Sequence, residues 1–214
     1  MKKRLFAVLL AAALLLSAFP AQALAAGLAY GNVPILLGGV EASLRRFAHY
    51  DYWDDAVRPS ILLDSQADLL LYGMGEKVIT QLTQRLRQGE ALETIRDLRG
   101  CCYLCRQEEI PQDSVSCASF HKVSENKESY AKAHQIQTEW QDAVYGKTIV
   151  QKQTDTLYLV QNPPMPSLTR EELDEVFDLP FTRTYHPSYE AMGGVDAIKE
   201  VEFSIIQNRG CFGN

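Results

Sequence analysis

The sequence predicts an α/β protein. Two stretches carry that prediction, each a short apolar strand, a glycine turn and then an amphipathic helix. The first is "VPILLGG", Val33 to Gly39, followed by "VEASLRRFAHY". The second is "ADLLLYG", Ala67 to Gly73, running into "GMGEKVITQLTQRLRQGE". Repetition of this unit implies a mostly parallel sheet with covering helices. The apolar runs are continuous rather than alternating, as expected of strands covered on both faces.

The elements follow in order. After the first strand, Ala42, Leu44, Phe47 and Ala48 are placed to supply the buried side of a helix. In the second unit Val78, Ile79, Leu82 and Leu86 recur at helical spacing, and Gly89 suits the helix end. From about Arg99 to Gly146 the chain is more polar. There Ser124 is placed to cap a helix through the Tyr130 and Trp140 region. "TLYLVQNPP" reads as a strand stopped by Pro163 and Pro164. Thr169 with Glu172 three residues on forms a capping box. Val201 to Ile206 reads as a last short strand, after which Asn208, Arg209 and Gly210 turn the chain and present Cys211. The expected organisation is a leader-like segment over 1–25, an α/β domain over 28–98, a mixed insertion and linking region over 99–198, and a final element over 199–214.

The chain has 214 residues, 46% hydrophobic and 22% charged, which is ordinary for a chain that buries a core. Its formal net charge of -6 argues against a general nucleic-acid footprint. The first residues are a basic head, "MKKR", an apolar run, "LFAVLLAAALLLSAF", and "PAQALA", a small-x-small cleavage pattern. That order matches a secretory signal peptide cleaved after Ala25, and the apolar run is short for a membrane span. Membrane contact is therefore expected only through this segment. The five cysteines are Cys101, Cys102, Cys105, Cys117 and Cys211, an odd number for a disulfide framework. Cys102-x-x-Cys105 has the spacing of a redox or metal pair, but no second pair stands at zinc-site spacing, and buried thiols are the alternative.

Two further features stay open from the residues alone. Gly73, Gly75 and Glu76 sit at a predicted helix start, where backbone N–H groups either receive an anion or simply make a turn. Arg45, Arg46, His49, Asp51, Tyr52 and Trp53 form a dense polar and aromatic cluster, placed either to line a site or to act as a hydrogen-bonded strut.

Three long stretches carry a resemblance. They are "GGVEASLRRFAHYDYWDDAVRPSILLDSQADLLLYGMGE" (Gly38 to Glu76), "LPFTRTYHPSY" (Leu179 to Tyr189) and "FSIIQNRGCFGN" (Phe203 to Asn214). Over about residues 28–214 the chain resembles the YgiQ-type radical S-adenosylmethionine (SAM) proteins. The resemblance implies an incomplete parallel-sheet N-terminal domain, a linking region, and over 199–214 the first strand of a radical SAM barrel. It makes Cys211 the first cysteine of a C-x-x-x-C-x-x-C iron–sulfur motif whose other cysteines are not in this sequence. It implies a [4Fe–4S] cluster and SAM in the complete family protein, none bound stably by this chain, a substrate of unassigned class, and a cytoplasmic location that collides with the export-like leader. His186 and Tyr189 fall before the barrel, where docking is the favoured role over acid–base work. The cobalamin-ligating D-x-H-x-x-G pattern of some related domains is absent, so cobalamin is not expected.

Overall fold

The computed structural model describes residues 33–205. The leader-like segment 1–25 and Cys211 lie outside the described residues. The chain divides into two compact units, 1–168 and 169–214.

The first unit is built on a six-stranded sheet. Its strands are β1 (Leu36–Leu37), β4 (Leu69–Leu71), β5 (Cys101–Cys105), β6 (Val115–Ser116), β7 (Ile149–Lys152) and β8 (Tyr158–Gln161), in the order β1-β4-β5-β8-β7-β6. A separate antiparallel pair joins β2 (His49–Asp51) to β3 (Ala56–Arg58). The α/β class stands. Parallel pairing occurs at both margins, β1 with β4 and β6 with β7, while the centre is antiparallel. The connections explain this. A crossover through other elements separates each parallel pair, whereas residues 153–157 are too few to join β7 to β8 in any sense but antiparallel.

Strand alternation divides the core into two faces. Leu69, Leu71, Cys101, Tyr103, Cys105, Val150 and Val160 line one, covered by Val78 and Leu82 of α3 (Gly75–Arg87). Leu70, Cys102, Ile149 and Leu159 line the other. That face is covered by Ala42 of α1 (Gly39–Leu44) and by Ile61 and Leu62 of α2 (Ile61–Ser65). The helices that follow β1 and β4 thus leave toward opposite faces. α3 is the best-formed helix predicted, with Glu76 in its first turn and Arg85 and Arg87 in its last, as the helix dipole favours. Gly89, at φ +87°, follows its end as expected.

Several expectations are corrected. The helix after β1 stops at Leu44, which is exposed. Phe47 and Ala48 are buried from a loop instead, because the residues after them enter the β2–β3 hairpin. Ser124 caps nothing: it lies inside α4 (Phe120–Glu125) and its hydroxyl donates to His121 O at 2.8 Å. Ser119 caps α4, and Asn126 caps α5 (Lys127–Glu139) by accepting from Ser129 N at 2.8 Å. The sheet also runs across the expected boundary at 98/99, since β5 to β8 all come from beyond it.

In the second unit, α6 (Arg170–Phe177) begins at the predicted capping box. Thr169 N donates to Glu172 Oε2 at 2.9 Å, and Glu172 N donates to Thr169 Oγ1 at 3.2 Å. A 3₁₀ segment, Pro187–Met192, and α7 (Ile198–Val201) follow. The strand expected over Val201 to Ile206 is not formed over its described part. Glu202 N donates to Ile198 O at 2.8 Å, and Phe203 and Ile205 are exposed, so local helical bonds win where no strand neighbour is at hand.

Candidate functional site

The polar and aromatic cluster after α1 separates into an inner and an outer part. Arg46 points inward and is buried. Its Nε donates to Gln161 Oε1 at 2.5 Å and its Nη1 donates to Ser43 O. The guanidinium carbon lies 5.1 Å from the Tyr72 ring centroid and 5.6 Å from that of Phe47. Both contacts are of cation–π type and suit the weakly hydrated guanidinium. Arg46 makes no ion pair among the described residues.

The outer part runs from the buried Asp51 to the exposed Tyr52 and Trp53. Arg45 pairs with Glu41 at 2.5 Å and with Asp51 at 3.1 Å. Asp51 also accepts from Trp53 N at 3.0 Å, and these partners hold its carboxyl below the usual range against the opposing effect of burial. The Tyr52 and Trp53 rings, 4.6 Å apart, stand exposed at the turn between β2 and β3. His49 is half-buried, with Nδ1 3.1 Å from Phe47 O, and burial lowers its pKa. Arg45, Arg46, His49 and Asp51 are thus each tied to neighbouring protein groups.

Around Arg46 the strands supply a buried amide network that the sequence reading missed. Gln151 Oε1 accepts from Ala48 N at 2.8 Å and from Gln153 Nε2 at 2.9 Å. Gln153 Oε1 accepts from Ser60 N at 2.8 Å. Asn162 Nδ2 donates to Arg96 O and Leu98 O, both at 2.8 Å, while its own carbonyl accepts from the Tyr72 hydroxyl at 2.5 Å. Burial of the Tyr72 phenol raises its pKa. The signal was present in "IVQKQ" and "YLVQN": glutamines at inward positions of otherwise apolar strands.

The cysteines of β5 do not form a chelating pair. Cys102 and Cys105 are three residues apart on one strand, so they face opposite sides of the sheet, in opposite core clusters. Burial pushes the Cys101 thiol to about 12 and that of Cys105 to about 11, and raises Cys102 as well. Cys117 is likewise pushed to about 12. Thiols in this state are poor metal ligands and poor nucleophiles. No group of His, Cys, Asp or Glu fit to hold a metal ion occurs among the described residues. No helix among them is long and apolar enough to cross a membrane.

At the carboxyl ends of β1 and β4, Gly73 takes φ +73° and its N–H donates to Ser43 Oγ at 3.3 Å. The left-handed backbone explains why a glycine stands at this turn. His186 and Tyr189 lie in the second unit, where His186 Nδ1 caps the 3₁₀ segment by accepting from Ser188 N at 3.2 Å and lies 2.8 Å from Ser188 Oγ.

A family model described as Radical SAM N-terminal matches residues 23–204 of this chain. The chain belongs to the radical SAM N-terminal family. It is 56% identical over 186 residues to a UPF0313 protein of Clostridium botulinum strain 657, covering 87% of this chain and 29% of that relative. It is 51% identical over 187 residues to a UPF0313 protein of Clostridium perfringens strain ATCC 13124, covering 87% of this chain and 28% of the relative. The chain thus spans less than a third of the length of these relatives. No solved structure matches it.

Proposed function

We propose that this radical SAM N-terminal domain is the non-catalytic front of a YgiQ-type radical SAM iron–sulfur enzyme, with Cys211 the first thiolate of its cluster motif. One observation supports the reading: the family match over residues 23–204 is followed, four residues on, by "RGCFGN". When bound in the complete enzyme, the cluster and SAM supply the radical that abstracts a substrate hydrogen atom. The residues of this chain do not fit that group. Three thiolates are needed, and the four described cysteines sit in the first unit, three of them buried in its core. The role of this chain's own residues is architectural: Arg46 and the glutamine network fix the elements on one face of the sheet to β7 and β8.

The test is anaerobic reconstitution of the whole chain with iron and sulfide, followed by quantification of both. Sub-stoichiometric iron, unchanged in Cys211→Ala, is expected. A stoichiometric cubane lost in Cys211→Ala would overturn the assignment of this chain as non-catalytic.

For location, we propose that the protein works in the cytoplasm, as assembly of a [4Fe–4S] enzyme requires, although residues 1–25 would direct a fused reporter out of it. Fractionation with N-terminal sequencing tests this. An exported product beginning at Ala26 would replace the cytoplasmic assignment with the exported one.

A further inference from the structure

The described residues of the second unit form helices and turns but no core. Among the described residues, none from Thr169 to Ile205 is buried. Its apolar side chains instead converge on one groove of about 890 Å³. Val176 and Phe177 of α6 line it, with Phe181 from the loop beyond and Ile198, Val201 and Ile205 opposite. Scattered exposed apolar residues are ordinary, but a contiguous set around one groove marks an interface. A segment this short that buries nothing cannot offset the entropy of ordering its own helices, so its order needs a covering surface.

We propose that this groove seats the polypeptide that follows the matched region in the radical SAM relatives, an apolar face of their catalytic portion. The inference rests on the reading of this domain as the front of such an enzyme. Two observations choose that occupant. The matched region is 29% of the Clostridium botulinum relative and belongs to a family described as N-terminal, so most of the relative's chain lies beyond it, continuing from the groove's own Ile205. Among the described residues the rim carries one cation, Arg183, and one anion, Glu202, so their charges favour neither an acidic nor a basic partner.

Hydroxyl-radical footprinting of Phe177 and Phe181 tests the proposal. The whole chain, at two concentrations, is compared with a full-length chimera in which residues 26–205 replace the matched region of the Clostridium botulinum relative. Oxidation of both rings is expected to slow about tenfold in the chimera, as for side chains closed into an interface core. Val201→Asp in the chimera is expected to restore fast oxidation. Equal rates in chain and chimera overturn the proposal. So do slow rates in the dilute chain alone, which would mean that it covers its own groove. Slowing with the chain's own concentration overturns it in favour of a second copy. If the chimera does not fold, the native relative is footprinted at the aligned positions, with slow rates expected and fast rates overturning. Iron and sulfide analysis of the same samples separates the two claims. Protection without a cluster keeps the docking and removes the catalytic reading, and a cluster with an open groove does the reverse.

Discussion

Arg46 and Gln161 are 115 residues apart in sequence and joined by a 2.5 Å hydrogen bond from Nε to Oε1. The bond ties the loop after α1 to the end of β8. Gln161 is wholly buried, and its Nε2 has no acceptor among the described residues. Truncating Arg46 to alanine leaves both polar atoms of a buried amide unpaired and removes the stack on Tyr72. Arg46→Ala is expected to cost about 3 kcal/mol in urea unfolding. The joint change Arg46→Met with Gln161→Leu is expected to recover most of that, because it removes the buried charge and the orphaned amide together. Strict additivity of the single losses would show that the two side chains are not coupled.

The thiols predict the alkaline limit of stability. Cys101 and Cys117 are pushed to about 12 and Cys105 to about 11, above an ordinary value near 9. Above pH 9 the unfolded chain loses these protons while the folded chain keeps them. The stability they contribute is therefore complete below pH 9 and falls as pH rises toward 11 or 12. The urea midpoint should drop across that window, and less steeply in Cys105→Ala. Maleimide labelling of Cys101 and Cys102 at pH 7 should proceed only as fast as the sheet opens. Rapid labelling of the native protein would contradict the buried assignment.

Much of the fold was legible because local and tertiary preferences agree. The strand before Gly73, the helix from Gly75 with its glycine end, and the Thr169 capping box all follow from short-range chemistry. What was not legible depends on distant partners. His49 and Tyr50 read as the end of a helix until Ala56–Arg58 is there to pair with the His49–Asp51 strand. The strand sense at β5 and β8 depends on which neighbours arrive. Val201 to Ile205 is β-prone, yet a strand needs a neighbour and none is supplied among the described residues. The inward face of the candidate cluster was half legible. Arg46 stood out, but its partner Gln161 is a glutamine in an apolar strand, and only the sheet register brings the two together.

The capping box at Thr169 gives a local test. Its hydroxyl accepts from Glu172 N while the Glu172 carboxylate accepts from Thr169 N. Thr169→Ala removes the first bond and leaves a helix-start donor unpaired. About 1 kcal/mol of helix stability should be lost. Hydrogen exchange should quicken in α6 and leave β4, β5 and β8 unchanged. Slowed or unaltered exchange in α6 would mean that tertiary contact, not the cap, sets its stability.

His49 gives the acid-side counterpart. Its Nδ1 lies 3.1 Å from Phe47 O, a contact that requires the proton on Nδ1. Nε2 is buried without a partner, so protonating it would place a new N–H where nothing accepts it. Burial is the largest cause of its lowered pKa, reinforced by Arg45 and opposed by the backbone bond to Phe47 and by Asp51 and Asp64. The unfolded chain thus takes up a proton near pH 6.5 that the folded chain refuses until a lower pH. The stability held by neutral His49 is complete above pH 6.5 and is lost as pH falls through the folded value. Urea unfolding at pH 7 and pH 5 should show a loss that shrinks in His49→Gln, which keeps a donor toward Phe47 O but does not titrate. A histidine resonance titrating at or above 6.5 in the folded protein, assigned to His49, would rule this out.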